Sequence, residues 1–592
     1  MMRTPLRPLA RILKARATGQ NPNDIEQENR GIRREEEHIK ARHRAEGRLV
    51  VMGLFFILAF LVVGLRMGTV SMSEPREPKT AASSGNVVVP RADIVDRKGR
   101  ILATNMITHA LYAHPHVMVD KMHAVDELVK IFPDLKRDRL IKDFTGKRKF
   151  LWLKRRISPE QMQKVHDIGD PGLLFGKRDM RLYPNGKLAA HILGGVKFGD
   201  QAVHSAELVG VAGVERKLDK MLGDPARNGA PVTLSIDIGA QAAMRDVLAS
   251  SVSLFNARGA SAVLMDAHTG EIRAMTSLPD FDPNDRPVPL TKGIASDSPL
   301  FNRAVQGLYE LGSTFKIFTI AQAVDEGMIS PTTMINTKGP MKWGKFKIKD
   351  YRNYGPKLSA TDVIAKSSNL GTARVAMDLG ATRQKRFLKS LGFFEPTPVE
   401  LAEAPNAKPL LPKNWSEIST ITISYGHGLS ASPLHLATAY ASLLNGGEIV
   451  KPTLIEGQNG KTGGRIVSQA TSKSAREMLR KVVTKGTASY ANVPGYEIGG
   501  KTGSAEKAKR GGYADKRNIA TFASVFPASD PKYILVVSLD EAKDTSGKEE
   551  RRTAGWTAVP VASEMVQRIA PILGLRPVIA GQEVTGVTLT SN

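Results

Sequence analysis

One run of this chain leaves little choice of structure. Leu49 to Leu65 (LVVMGLFFILAFLVVGL) holds no charged residue and is bracketed by Arg48 and Arg66. As a helix, this 17-residue run rises about 26 Å, enough for the hydrocarbon core of a bilayer. The alternative is a buried helix of a soluble domain, and the lack of any polar face argues against it. It starts too far from Met1 for an ordinary signal peptide, and no A-x-A cleavage site follows it. Twelve Lys and Arg residues crowd into residues 1–48. The expectation is therefore a basic cytoplasmic tail over 1–48, a single membrane helix over 49–67, and the remainder outside the cytoplasm.

The remainder is long enough for more than one core. Residues 68–86 read as a Pro/Ser/Ala linker, 87–231 as one module, 232–575 as a second, larger domain, and 576–592 as a tail. There is no cysteine, which excludes disulfides, thiol catalysis and thiolate-bound metal. Net charge is +26, yet aromatics are only 6% and no nucleic-acid motif occurs, so nucleic acid is not the expected partner. The basic residues are assigned to the membrane anchor, to an acidic envelope polymer or anionic lipid, and to ordinary solvated surface.

In the first module, residues 91–103 read as strand, turn and strand, with helices near 122–132 and 158–168 and another ending at Leu222. No acid/base pair or metal-ligand spacing appears there. From Val232 the pattern changes. Ala260–Asp266 and Glu271–Thr276 read as a hairpin, the middle is rich in helices, and 518–526 and 533–540 are late strands. A helix over 556–573 closes the domain. Strands first, helices between and strands last predict an α+β domain whose sheet joins both ends of the segment.

Three short fragments in that domain carry chemistry. Ser313-Thr314-Phe315-Lys316 opens a helix with apolar residues at Ile317, Phe318, Ile320, Ala321 and Val324, so Ser313 and Lys316 share a face. A helix start presents unpaired N–H groups and positive potential, which favours an alkoxide and a neutral amine. Ser367-Ser368-Asn369 reads as a helix end and loop, with a hydroxyl to relay a proton and a carboxamide to hold an amide. Lys501-Thr502-Gly503-Ser504 reads as a strand. Thr502 and Ser504 share one face, as two hydroxyls gripping a carboxylate would, and Gly503 lets a ligand backbone come close. None of these fragments is specific alone. Ser-x-x-Lys recurs at Ser504/Lys507 and Ser529/Lys532, Ser-x-Asn at Ser84/Asn86, and Lys-Thr-Gly at 461–463, where it reads as a Gly-rich turn. Only Ser313 has both partners downstream in order and a helix directly after it.

The ordered set Ser-x-x-Lys, Ser-x-Asn, Lys-Thr-Gly resembles the active-site motifs of penicillin-binding proteins and serine β-lactamases. RADIVDRKGRILATN, RLYPNGKLAAHILGG and GVAGVERKLDKMLG are similar to the N-terminal module of class B penicillin-binding proteins. ASAVLMDAHTGEIRAMTSLPDFDPN, YGHGLSASPLHLATAYASLLNGG and KGTASYANVPGYEIGGKTGSAEK are similar to their transpeptidase domain. The likeness is strongest to the septal members, and Leu311 departs from the proline many relatives carry. The resemblance implies an elongated mixed α/β module of the dimerisation type, then a domain with a central antiparallel sheet flanked by helices. It implies a peptidoglycan D,D-transpeptidase working through an acyl-serine and inhibited by β-lactams. Ser313 would be the nucleophile, Lys316 the base with its pKa lowered by Lys501, and Ser367 the proton relay. Asn369, Thr502, Gly503 and Ser504 would bind substrate, with the Ser313 and Ser504 amides as oxyanion hole. No cofactor or metal is implied. The implied partners are D-Ala-D-Ala stem peptides, a multi-span glycan polymerase of the FtsW type and other division proteins. The implied location is a bacterial inner membrane. An elongation-specific transpeptidase, a penicillin sensor or idle scaffold, and a β-lactamase or carboxypeptidase remain alternatives. The absence of a Glu-Asp-Arg-Arg-Phe-like signature argues against a bifunctional glycosyltransferase.

Overall fold

The computed structural model describes residues 7–19, parts of 21–31, and 51–67, 91–201, 206–344, 346–509 and 512–578. The expected linker 68–86, most of the expected cytoplasmic tail, and the chain beyond 578 lie outside the described residues, as does the Ser84/Asn86 copy. Residues 51–67 are helical and, Ala59 apart, exposed, Phe60 to 73%. Among the described residues, no helix is long and apolar enough to cross a membrane.

The chain forms two compact units, one of residues 1–77, 111–155 and 159–175, the other of residues 78–110, 156–158 and 176–592. The smaller unit holds helices Lys121–Ile131, Arg137–Thr145 and Pro159–His166. Asp120 caps the first by accepting from the Met122 and His123 amides. The second escaped the sequence reading because its buried face is only Leu140 and Phe144 in a charged run.

In the larger unit, one buried carboxylate is held between two arginines. Glu215 is wholly buried and bonded by Arg91 Nε and Arg181 Nε, each at 2.7 Å. Removing Glu215 would leave the buried Arg181 without a carboxylate among the described residues. Asp237 caps helix α1 (Ile238–Leu254) through the Gly239 and Ala240 amides, and Lys98 Nζ lies 2.8 Å from its carboxylate.

The expected hairpin forms as β1 (Gly259–Asp266) and β2 (Ile272–Leu278). Helix α2 (Lys316–Asp325) follows the Gly312–Phe315 turn. Helices α3 (Ala360–Ala365) and α4 (Asn369–Ser390) flank the Ser367 loop, and α4 breaks at Gly380, whose φ is +77°. Then come α5 (Pro433–Leu444), α6 (Gln469–Lys485), β3 (Gly499–Lys509), β4 (Gly512–Phe526), β5 (Tyr533–Asp540) and α7 (Ala558–Ile572). The five strands make one antiparallel sheet in the order β3-β4-β5-β1-β2. The first and last strands of the domain therefore meet at β1 and β5, as the alternation of strands and helices predicts. Strands β5 and β1 are buried almost throughout, so helices cover the sheet. Helices α1 and α7 pack on one another and on the sheet, and α5 packs on β5 and β1.

Candidate active site

The turn that carries Ser313 is held from three sides. Gly312 has φ +56°, a left-handed backbone that glycine takes without strain. Its amide donates to the Gly426 carbonyl at 3.1 Å. A Cβ on Gly426 would lie 1.9 Å from the Gly312 carbonyl oxygen, so only glycine permits this approach. Thr314 Oγ1 donates to the Leu311 carbonyl at 2.9 Å, and the buried Tyr440 hydroxyl donates to the Thr314 carbonyl at 2.8 Å. Phe315 packs on Phe318 and Phe393 beneath. Ser313 is left half-buried at the top of this support.

The sequence reading expects Gly503 to admit a ligand backbone. The structure gives that space to the protein itself: a Cβ on Gly503 would sit 2.2 Å from the Leu311 carbonyl oxygen and 2.9 Å from Thr314 Cγ2. The glycine lets the nucleophile turn dock on β3. The same docking brings the Ser504 amide to 3.2 Å from the position of a Cβ on Gly312, next to Ser313.

The three motifs do converge. Lys316 Nζ donates to the Ser367 carbonyl at 2.6 Å and to its hydroxyl at 3.0 Å. Lys501 Nζ donates to the same hydroxyl at 3.0 Å and to the Thr502 carbonyl at 3.0 Å. Helical spacing puts Lys316 on the face of Ser313, yet among the described residues the Ser313 hydroxyl makes no hydrogen bond; the amine is drawn to Ser367 instead. Ser367 has φ +60°, a left-handed conformation that costs a non-glycine residue about 1–2 kcal/mol. That twist turns its carbonyl and its hydroxyl toward the same amine.

Both amines are 0% exposed. Burial is the main reason that Lys316 falls well below the usual lysine range; Lys501 adds like-charge repulsion, and Asp350 opposes both. Burial alone brings Lys501 to about 7. The family resemblance implies Lys501 as the cause for Lys316; the desolvating pocket comes first.

The other expected residues bond within the protein. Asn369 is the first residue of α4, and its Nδ2 donates to the Lys349 carbonyl at 3.0 Å. Thr502 Oγ1 lies 2.7 Å from Thr487 Oγ1, and Ser504 Oγ accepts from the Ala554 amide at 2.9 Å. The rival motif copies do not assemble. Lys507 pairs with Asp540 and Glu541, Lys532 with Asp530. Lys461–Arg465 is an exposed strand paired with Glu448–Val450, where the sequence suggests a turn.

Sequence reasoning missed Asp350. Its carboxylate accepts from Ser368 Oγ at 2.7 Å and the Leu370 amide at 3.0 Å, tying the Ser367 loop to the start of α4. No local pattern marks it. Gly426 and Gly428 had a visible signal, two glycines around His427, and Glu310 accepts from the Gly428 amide at 2.8 Å. His427 is held below its ordinary pKa by burial, against the pull of Glu310.

A family model described as the penicillin binding protein transpeptidase domain matches residues 260–562, and one described as the penicillin-binding protein dimerisation domain matches residues 86–225. The chain is 35% identical over 567 residues to the probable peptidoglycan D,D-transpeptidase FtsI of Caulobacter vibrioides, covering 91% of this chain and 92% of that protein. It is 31% identical over 538 residues to the probable peptidoglycan D,D-transpeptidase PenA of Neisseria gonorrhoeae, covering 86% and 90%. It is 28% identical over 572 residues to stage V sporulation protein D of Bacillus subtilis, covering 90% and 86%.

Proposed function

This chain belongs to the class B penicillin-binding proteins and is a peptidoglycan D,D-transpeptidase, and on that premise we propose that Ser313 is its acylated residue. The observation that carries the proposal is the Ser367 hydroxyl, 3.0 Å from both the Lys316 and the Lys501 amine.

Neutral Lys316 takes the Ser313 proton as Oγ attacks the carbonyl of the penultimate D-Ala of a stem peptide. The Ser313 and Ser504 amides receive the oxyanion, each worth about 3 kcal/mol in the transition state. The tetrahedral intermediate collapses and the C–N bond breaks. The proton returns from Lys316 through the Ser367 hydroxyl to the departing D-Ala amine. Asn369 holds the substrate amide, and Thr502 and Ser504 hold the terminal carboxylate. An amine from a second stem peptide then attacks the acyl-serine, and the same groups run in reverse. Peptidoglycan is the substrate of the family and β-lactams are its acylating ligands.

The finer assignment is also proposed. A helix within residues 49–67 anchors the protein once in the inner membrane, with the basic tail cytoplasmic and the catalytic domain outside; the uncharged run and the charge before it support this. The role is septal, working with an FtsW-type polymerase and other division proteins, a reading supported by the resemblance of the sequence to septal members. Intact mass after penicillin treatment should show one adduct on the wild type and none on Ser313→Ala; an adduct persisting in that variant would refute the nucleophile. Depletion should give filamentous cells. Round cells would make the elongation role correct instead.

A further inference from the structure

The second half of the reaction carries one proton more than the first. The amine that leaves during acylation departs neutral, so the amine that enters by the reverse steps must also react neutral. A primary amine of the lysine type is an ammonium at pH 7. Lys316 and Ser367 move one proton between Ser313 and the nitrogen and return to their starting state. The extra proton of the ammonium needs another acceptor.

His427 is placed to be that acceptor. Residues 309–312, which lead into the nucleophile turn, run antiparallel to residues 426–431: Tyr309 bridges Ala431, and the Gly312 amide reaches the Gly426 carbonyl at 3.1 Å. His427 lies in the second of these segments. Gly426 and Gly428 on either side of it have φ +86° and +83°, left-handed turns that bend the chain sharply there. The His427 amide donates to the Thr422 carbonyl at 3.0 Å, and its ring stands 5.7 Å from that of Tyr425.

The ring is half-buried, so it faces both the protein and water. Burial is the main influence on it and favours the neutral form; the charges that act on it are Glu310, Lys316 and Glu506. These come from the segment before the turn, from α2 and from β3, three elements that surround Ser313. Glu506 follows Thr502 and Ser504 on one face of β3 by strand alternation. The two carboxylates draw an ammonium toward the imidazole. They also stabilise the imidazolium once the ring has a proton.

We propose that His427 is a catalytic base of the second half-reaction, taking a proton from the ammonium of the incoming acceptor. The proposal rests on the transpeptidase reading. The imidazole takes one N–H proton and the nitrogen keeps the electron pair. That pair attacks the acyl carbon, the C–N bond forms and the C–Oγ bond to Ser313 breaks. A second proton of the amine passes through Ser367 and Lys316 to Ser313 Oγ, and the imidazolium gives its proton to water.

The test uses the full-length protein in detergent and a thioester donor ending in D-Ala-D-thiolactate. Two acceptors compete in one mixture. Nα-acetyl-lysine amide is an ammonium from pH 7 to 9, whereas hydroxylamine is already neutral there. Products are counted by mass, and Ser313→Ala gives the uncatalysed background. With His427 as base the ammonium is the reacting form, so the ratio of lysine to hydroxylamine product should stay within about twofold from pH 7 to 9. A ratio that climbs about tenfold per pH unit means that only the free amine reacts, and overturns the proposal. In His427→Gln the ratio at pH 7 should fall about 100-fold and acquire that climb. A ratio unchanged in this variant overturns the proposal, as does a lysine amide that never reacts while hydroxylamine does. A merely structural loss would slow both acceptors alike and leave the ratio in place. If His427→Gln does not fold, the wild-type profile and His427→Phe decide by the same criteria. Penicillin acylation of Ser313 with a failed ratio refutes the base alone. No penicillin adduct on Ser313 refutes the transpeptidase mechanism and the base with it.

Discussion

Lys316 and Lys501 reach the same oxygen: each Nζ lies 3.0 Å from the Ser367 hydroxyl, and both are out of contact with solvent. Two ammonium groups cannot share so small and dry a space, so the pair holds one proton between them near neutrality, and its pKa values belong to the pair.

This sets the pH dependence of acylation. Lys316 is held well below the usual lysine range by burial and by the charge of Lys501, and Lys501, at about 7, keeps its proton up to near neutrality. The active form therefore exists from the Lys316 pKa up to about pH 7. Second-order rates of penicillin acylation should trace a bell whose alkaline limb falls near pH 7. A rate that keeps rising through pH 9 would show that the Lys501 ammonium is not needed.

Stability should follow the same groups in the opposite sense. The unfolded chain protonates both lysines at neutral pH, and the folded pocket resists doing so. The penalty is absent above about pH 10.4, grows as pH falls, and for Lys501 is complete below about 7. Lys501→Met should stabilise the fold at pH 7 by about 2–4 kcal/mol. Each tenfold loss of proton affinity on folding is worth about 1.4 kcal/mol, and the hydrogen bonds lost subtract from the total. Melting at pH 7 and pH 9.5 checks this: raising the pH should stabilise the wild type more than the variant.

Gly503→Ala should separate fold from activity. Its Cβ would meet the Leu311 carbonyl at 2.2 Å and push the nucleophile turn off β3. Misplacement of this size costs about 100-fold in acylation, with a stability loss of about 1–3 kcal/mol. Normal acylation kinetics in a folded Gly503→Ala protein would mean that the turn can dock elsewhere.

Asp350→Asn should act on Lys316 from a distance. The carboxylate raises the Lys316 pKa, so neutralising it lowers that pKa further and moves the acid limb of the acylation profile to lower pH. The rate at the plateau should also fall, since the anchor of the Ser367 loop weakens. An acid limb that stays in place would remove Asp350 from the electrostatics of the site.

Much of this was legible from residues alone, because it rests on local pattern. The hairpin of β1 and β2, the helix after Ser313 and the strand through Lys501 follow from periodicity and turn residues. What escaped depends on contacts between distant segments. Asp350 carries no motif and gains its role only when its loop folds over α4. Tyr440 carries no motif either, and its hydroxyl holds the Thr314 carbonyl across 126 residues of chain. Gly503 reads as a site for ligand approach because strand parity cannot say which chain will occupy the space. The short helix Arg137–Thr145 shows a third limit: two buried residues are too few to print a period.

The left-handed backbone of Ser367 has a consequence for how this site can be taken apart. Glycine is the one replacement that fits that conformation without cost, and the 2.6 Å bond to Lys316 is made by a backbone carbonyl that glycine retains. Scaffold and proton carrier are thus separable at a single position. A chain with glycine there keeps its base correctly aimed while losing the hydroxyl that joins the two lysines, leaving a pocket that has the form of a catalyst without that path for its proton.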